Sequence, residues 1–531
     1  MTSPDKNTKA PKKGSARNGL ARARRVLAGL SLLAVTALFL DLSGALHGWL
    51  GWLAKLQLLP AIMAANFAVI AGIAVVTLLF GRIYCSVICP LGIFQDGVSW
   101  LSGLRPGKRL PEGKRAGGSK RLRFSWKPER KWLRYSVFGV FVLALVFGVH
   151  VLVAVLAPYS AYGRMVGNLL QPIWIWGNNL LAKIAEHYDS YAFYSRDVWM
   201  KSLPTLIVAA VTFVVLSVLA WWNGREYCNS ICPVGTALGF LSRFAMFRPV
   251  IDTDKCGGCR LCEKGCKASC IDAANHKIDY SRCVDCFDCI GACKSDALHY
   301  KFAWGKTAAS KEAAAPSDTK PADPGRRAFL TGTAMVAGAM TLEAQSQKFD
   351  GGFARVLPKL EPERTGRLVP PGARSANDFY SRCTACGLCV AACPNGVLRP
   401  SGDLEHLMQP YMSFERGYCR PECTECSQVC PAGAILPITP EEKTDISIGI
   451  AAVNYDLCVV NRDGVNCGNC ARHCPTGAIH MVKPEGSEFR VPSVDASRCI
   501  GCGRCEYLCP SRPHSAIRVN GREKHINSSE S

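Results

Sequence analysis

Twenty-nine cysteines occur in this 531-residue chain, and 24 of them fall into six quartets of repeating spacing. Four quartets read Cys-x2-Cys-x2-Cys-x3-Cys: Cys256/Cys259/Cys262/Cys266, Cys283/Cys286/Cys289/Cys293, Cys383/Cys386/Cys389/Cys393 and Cys499/Cys502/Cys505/Cys509. Two are variants. Cys419/Cys423/Cys426/Cys430 opens with one extra residue and Cys458/Cys467/Cys470/Cys474 with a longer gap, and both keep the Cys-x2-Cys-x3-Cys-Pro ending. Such a loop wraps three thiolates around one iron-sulfur cubane, while the fourth cysteine, set off by the following turn, ligates the partner cluster in two-cluster ferredoxins. Structural zinc favours paired Cys-x2-Cys knuckles over triplets plus one. Disulfides are disfavoured too, because cysteines three apart in tight loops are poorly placed to pair.

Crossed pairing of the first two quartets puts Cys256, Cys259, Cys262 and Cys293 on one cluster and Cys283, Cys286, Cys289 and Cys266 on the other. Cys270 is then left over, as an alternative ligand or, the favoured reading, a buried small hydrophobe. The quartets also form an internal repeat: Tyr280-Ser281-Arg282 recurs as Tyr380-Ser381-Arg382, and Gly433-Ala434-Ile435 as Gly477-Ala478-Ile479. Each unit reads as half a ferredoxin, so six 4Fe-4S clusters in three two-cluster modules are expected. That is more than one redox site needs and fits a path for electrons.

The first half of the chain has another character. With 49% hydrophobic residues overall, apolar runs concentrate at residues 26–46, 58–80, 132–156 and 203–222, each near or above the roughly 20 residues that span a bilayer. Four transmembrane helices are therefore expected. Charge orients them, because short loops rich in Lys and Arg stay in the cytoplasm. The N-terminal tail is basic against the single acid Asp5, and residues 105–134 carry twelve basic residues against Glu112 and Glu129. Both ends of the four-helix unit are then cytoplasmic. The same loops account for the net charge of +22, so no nucleic-acid partner is needed.

This half is itself duplicated. Gly81-Arg82-Ile83-Tyr84-Cys85 leads to Ile88-Cys89-Pro90, and 143 residues later Gly224-Arg225-Glu226-Tyr227-Cys228 leads to Ile231-Cys232-Pro233. Cys85, Cys89, Cys228 and Cys232 are thus candidates to converge from homologous halves as redox thiols or around a cofactor. The alternative is a repeated helix stop imposed by Pro.

Beyond the first two quartets the composition turns to Ala, Lys, Ser, Asp and Pro, a disordered linker in character. Gly325-Arg326-Arg327-Ala328-Phe329-Leu330 and the apolar stretch to Leu342 then match a twin-arginine signal, with a weak cleavage site at Leu342-Glu343-Ala344. Export by that route suits a domain whose clusters are inserted before translocation. There is no Cys-x2-Cys-His for c-type haem and no threonine-containing flavin-attachment motif.

With its four apolar runs, two Cys-x3-Cys-Pro motifs and two-cluster domain, the N-terminal part resembles the NapH-type membrane subunit. From Arg326 onward, with paired arginines, Pro370-Pro371-Gly372-Ala373 and four quartets, the chain resembles NapG and MauM proteins. The resemblance implies a natural fusion that oxidises membrane quinol and passes electrons to a periplasmic reductase or small electron carrier. Three features depart from that pattern: the signal is internal, Lys267 and Lys294 stand where Pro usually follows the fourth ligand, and no reductase is present. A copper-reducing or metal-cofactor assembly factor is the alternative, since thiolates favour Cu(I).

Ionisable residues inside apolar runs are candidates for quinol chemistry because burying them in lipid is costly. Asp41 and His150 stand out, with His47 and Arg164 near them in sequence. The expected fold is an α-helical membrane bundle of four transmembrane helices plus α+β ferredoxin modules of bacterial type. Its segments are a cytoplasmic tail 1–25, a membrane domain 26–235, a cytoplasmic two-cluster domain 236–302, a linker 303–325, a signal or anchor 326–345 and a periplasmic four-cluster domain 346–531. The setting is a bacterial inner membrane, and a core of about 30 Å must be bridged between the two cluster domains.

Overall fold

A computed structural model describes residues 19–41, 44–104, 124–303, 357–485 and 488–527. The start of the basic tail, residues 105–123, most of the linker and the paired Arg326 and Arg327 lie outside the described residues.

Two of the four apolar runs form unbroken helices long and apolar enough to cross a membrane, Gly19–Leu40 and Leu203–Asn223. The expectation of four such helices is corrected by the other two runs, which break. The second run is Leu58–Met63 followed by Phe67–Phe80, separated where Ala65 turns left-handed at φ 52° and the Asn66 side chain caps the Val69 N–H at 3.3 Å. The third run stops at Val146, turns through Gly148 at φ 72° and restarts as His150–Leu156. Hydropathy counts apolar side chains and does not register these turns. Asn66 N–H to Ala61 O (2.9 Å) and Val149 N–H to Ala144 O (2.8 Å) satisfy the backbone at the breaks, as broken helices in apolar surroundings require.

The outer surface is apolar. Ile207, Val211, Val214, Val215 and Val218 on one long helix, and Val26, Leu27, Leu30 and Leu33 on the other, face outward. So do Ile173, Trp176, Leu180 and Ile184 of Gln171–His187. An exposed apolar face of this extent marks a surface covered by lipid or by a partner.

The sequence repeat becomes a structural repeat. Phe67–Phe80 and Leu203–Asn223 each end at a glycine of positive φ (Gly81, 76°; Gly224, 65°), followed by the short helices Ile83–Val87 and Glu226–Ser230. Pro90 and Pro233 then open Pro90–Gly103 and Pro233–Ser242. The glycine therefore ends each apolar helix, and the proline begins the next one, where its missing N–H costs nothing. The halves interlock, since Pro90–Gly103 packs on Leu203–Asn223 and Pro233–Ser242 on Phe67–Phe80.

The cysteine-rich parts are α+β, with short helices and two-stranded antiparallel sheets. In the two-cluster domain Phe247–Ile251 pairs with Leu298–Phe302. In the C-terminal domain Ile446–Val453 pairs with Ile517–Asn527, and Ile479–Val482 with Val491–Val494.

These two domains sit at opposite ends of the long helices. Arg25, at the start of Gly19–Leu40, pairs with Asp288 of the two-cluster domain at 3.1 Å, whereas the other end of that helix contacts Leu388–Ala392 of the C-terminal domain. Leu203–Asn223 runs the opposite way: Pro204 lies near Gly402, and beyond Asn223 the Arg225 N–H donates to Lys267 O at 3.0 Å. At 1.5 Å per residue, the 22-residue helix separates the domains by about 33 Å. Gly224 comes so close to the Lys267 carbonyl that a Cβ would collide with backbone. Gly224→Ala is expected to cost about 1–2 kcal/mol for the left-handed conformation alone and to loosen the two-cluster domain. Faster proteolysis of that domain in the variant checks this.

Candidate metal centres

The thiols gather in groups, and each group includes a cysteine from the neighbouring quartet. Cys262 lies within electrostatic reach of Cys259 and Cys293, and Cys289 within reach of Cys286, Cys283 and Cys266. The same crossing occurs four times in the C-terminal domain. Cys383, Cys386 and Cys389 face Cys430; Cys419, Cys423 and Cys426 face Cys393. Cys470 is grouped with Cys458, Cys467 and Cys509, and Cys499 and Cys502 with Cys474. The quartets therefore pair in chain order, third with fourth and fifth with sixth.

The donor sets suit cubane clusters. All 29 cysteines are free thiols, so none is withdrawn from ligation by a disulfide. Burial pushes the Cys262, Cys386 and Cys470 thiols up to about 11, so each would give up its proton only against bound metal. Backbone N–H groups of Ala297, Ala478 and Ala516 donate to the sulfurs of Cys293, Cys474 and Cys509 at 3.2–3.3 Å, the hydrogen bonds that tune such centres. Cys270 is 2% exposed, with its sulfur 3.5 Å from that of Cys266 and within hydrogen-bond reach of Cys283. It is buried as expected, yet it adds a fifth thiol to the second group.

The groups form an ordered series. The four of Cys383 abut the apolar N-terminal half: Arg164 Nη1 donates to Ala385 O at 3.4 Å, and Tyr159 lies within reach of Cys386 and Cys430. Next, through Cys393 and Cys430, comes the four of Cys419. The Cys419 N–H donates to Cys502 O at 3.0 Å, which leads to the four of Cys499 and then to that of Cys458. Trp199 of the apolar N-terminal half, between the Arg399 and Arg416 guanidinium groups at 4.6 and 4.9 Å from its ring centroid, anchors this domain.

Cys85, Cys89, Cys228 and Cys232 converge. All four are buried in one core and lie within electrostatic reach of one another. Two wholly buried arginines cross between the halves: Arg82 Nη2 donates to Cys228 O at 3.2 Å and Arg225 Nη1 to Cys85 O at 2.6 Å. Gln95 Nε2 donates to the Cys228 sulfur at 3.2 Å. The Arg82 guanidinium also donates to the neutral oxygens of Asn229 (2.9 Å) and Ser281 (3.0 Å), with its Nη2 3.9 Å from the Cys85 sulfur. The Asp285 carboxyl group of the two-cluster domain also lies within electrostatic reach of Arg82 and accepts its backbone N–H.

The arginines also tie the tetrad to the two-cluster domain. Asp96 receives Arg225 (2.9 Å) and Arg24 (2.8 Å), with Lys267 at 3.8 Å, and Lys267 reaches Asp288 at 3.0 Å. Lys267, which departs from the usual Pro, is thus a docking residue. On the other side, Tyr227 lies within reach of Cys232, Cys228 and Arg164, which leads to the Cys383 group. Arg82 and Arg225 carried a signal in the sequence, the duplicated Gly-Arg, although their crossing did not.

Asp41 and His150 both lie toward the C-terminal domain, but each has its own surroundings. The Asp41 carboxylate accepts the N–H groups of Gly44 (3.0 Å) and Leu46 (2.8 Å) and faces His47 Nδ1 at 3.2 Å, which closes the turn after the first long helix. His150 lies within electrostatic reach of His406.

A family described as a 4Fe-4S dicluster domain matches residues 382–434 and 465–512, and one described as a 4Fe-4S binding domain matches 62–109 and 202–250, where the tetrad lies. The methylamine utilization ferredoxin-type protein MauM of Methylorubrum extorquens is 33% identical over 213 residues, 38% of this chain and 92% of that protein. The chain belongs to the MauM/NapG family of ferredoxin-type proteins. NapG of Escherichia coli is 34% identical over 197 residues, 35% of this chain and 81% of NapG. The uncharacterized protein MJ0750 of Methanocaldococcus jannaschii is 23% identical over 235 residues, 44% of this chain and 78% of its own. No solved structure matches. As a MauM/NapG relative with this cysteine content, the chain is an iron-sulfur electron-transfer protein.

Proposed function

We propose that this protein is a membrane-seated electron conduit that oxidises quinol and delivers electrons to a periplasmic reductase or small carrier. One arrangement supports the reading: cysteine groups stand at both ends of long apolar helices, with a buried four-cysteine group between them. In this reading the N-terminus and two-cluster domain are cytoplasmic. Arg24, Arg25 and Arg134 contact that domain or its docking surface, as basic residues on the cytoplasmic side would. The C-terminal domain, docked at the opposite end, is then periplasmic, consistent with export through the paired arginines.

The 24 quartet cysteines would hold six 4Fe-4S clusters, and Cys85, Cys89, Cys228 and Cys232 one more iron-sulfur group shared between the halves. Such clusters, when bound, accept and release single electrons. The chain sets the order of the sites, buries their thiols and supplies N–H donors to the sulfurs. Quinol gives up two electrons and two protons and leaves as quinone. The assembly-factor reading leaves the ordered C-terminal series without a task.

Anaerobically purified protein with its clusters loaded is expected to be reduced by duroquinol, followed by loss of visible absorbance in stopped flow. Full loading with no quinol-dependent reduction rejects the reading. A periplasm-dependent reporter fused after Ser531 should be active, and activity of a cytoplasm-only reporter there rejects the topology.

A further inference from the structure

We propose that Cys270 is a reserve fourth ligand of the cluster held by Cys283, Cys286 and Cys289, able to take the place of Cys266 on the same iron. The proposal rests on the cluster reading above and assigns the one cysteine of the two-cluster domain that the quartets leave out. Cys266, Cys270, Cys283, Cys286 and Cys289 line a single recess, so five thiols face a group that takes four. The spacing of Cys283, Cys286 and Cys289 fixes three corners of a cubane locally. The corner left open is the one that the first quartet supplies, and Cys266 and Cys270 both come from there.

The internal repeat shows what sets Cys270 apart. Four residues after the last ligand, four of the other quartets carry a small apolar side chain: Ala297, Val397, Ala434 and Ala478. All four are buried, as is Cys270. The N–H groups of Ala297 and Ala478 donate to the sulfurs of their own fourth ligands at 3.3 and 3.2 Å, and the Cys270 N–H is likewise turned to the Cys266 sulfur. The backbone arrangement is shared, and a thiol stands where the others have only hydrocarbon. Packing at this place needs no sulfur, since alanine or valine suffices elsewhere. The Cys270 sulfur is 3.5 Å from that of Cys266 and within hydrogen-bond reach of Cys283. Two thiols in contact cannot hold separate corners of one cubane, so Cys266 and Cys270 compete for one iron.

The two competitors are held from different sides. Cys266 precedes Lys267, whose carbonyl accepts the Arg225 N–H at 3.0 Å and whose ammonium lies 3.8 Å from Asp96, so it follows the apolar half. Cys270 precedes the hairpin strand Ile271–Asp272, and its carbonyl accepts the Asp279 N–H at 2.9 Å, so it follows the two-cluster domain. A shift of that domain on its seat draws Cys266 from the recess and leaves Cys270 in it. In the exchange one iron–sulfur bond to Cys266 breaks, one to Cys270 forms, and the Cys270 thiol proton passes to the Cys266 sulfur. No oxidant or reductant is required.

The test uses the full chain, purified anaerobically, with iron content and EPR as readouts. Cys266→Ala is expected to keep wild-type iron with an altered EPR signal. Cys266→Ala/Cys270→Val, which keeps an apolar side chain of the kind found at Val397, is expected to lose about one to four irons per chain, because a cubane short of one ligand sheds an iron or falls apart. Equal loss in the single and double variants, or wild-type iron in both, overturns the proposal. Cys270→Ala, which makes the position match Ala297, covers the case in which Cys266→Ala misfolds. Under ferricyanide its three-iron EPR signal should grow in about tenfold faster than in the wild type, the lower range for partners outside the primary ligands of a metal, and an unchanged rate overturns the proposal. Unchanged iron and EPR in Cys286→Ala reject the cluster reading itself, whereas loss in Cys286→Ala and equally in Cys266→Ala rejects only the reserve ligand.

Discussion

Serine at Cys85, Cys89, Cys228 and Cys232 is expected to stop electron passage between the two ends of the protein while leaving the 24 quartet cysteines loaded. The four thiols are buried together between the domains, and the crossed Arg82 and Arg225 hydrogen bonds hold them from both halves. A serine hydroxyl nearly keeps the volume but removes the thiolate that, in the proposed reading, would bind metal. The two-cluster domain has a core of its own, with Val284, Phe287 and Leu298, so its sites should survive. Iron content should fall by about four per chain if the tetrad holds a cubane. Passage should slow by more than about 100-fold, beyond the upper range for changes outside the ligand sphere. Electrons supplied by duroquinol and followed by EPR in each domain would report this. Unchanged passage and unchanged iron would reduce the tetrad to packing.

Asp96→Asn is expected to be the most destabilising single exchange in the membrane half. Its carboxylate meets Arg24, Arg225 and Lys267, which come from the first helix, the second half-repeat and the two-cluster domain. Repeat symmetry does not provide a substitute, because Gly239 occupies the equivalent position 143 residues on. Removing one partner of a buried ion pair leaves uncompensated charge and costs about 3–5 kcal/mol. The variant should lower the thermal midpoint in detergent and release the two-cluster domain to protease. Lys267→Met alone should cost less, and in the Asp96→Asn background it should restore part of the loss. Additive effects in that double-mutant cycle would show that Lys267 and Asp96 do not act together.

Much of the metal chemistry was legible because cluster ligands lie close along the chain. The Cys-x2-Cys-x2-Cys loop places three thiols by local geometry, and the partner quartet follows within a few tens of residues. The duplicated Gly-Arg-x-Tyr-Cys likewise announced a repeat. The count of spans was less legible, because Ala65 and Gly148 break two runs by backbone conformation, and hydropathy is blind to φ. Asp41 and His150 were singled out as ionisable groups in apolar runs, but that criterion does not reveal a partner. Asp41 caps a turn, whereas Arg164, noted only as a neighbour, reaches Ala385 of the C-terminal domain.

By itself, then, the sequence determined the spacing of the cysteines, the two repeats and the apolar character of the first half, all properties of residues near one another in the chain. Tertiary structure alone decided that Cys85 and Cys228 share a core, that Arg82 and Arg225 each serve the other half, and that the C-terminal groups begin at Arg164. These are contacts between residues more than 100 positions apart. They are set by how the interlocked helices bury charge against the docked domains, and no local spacing encodes that burial.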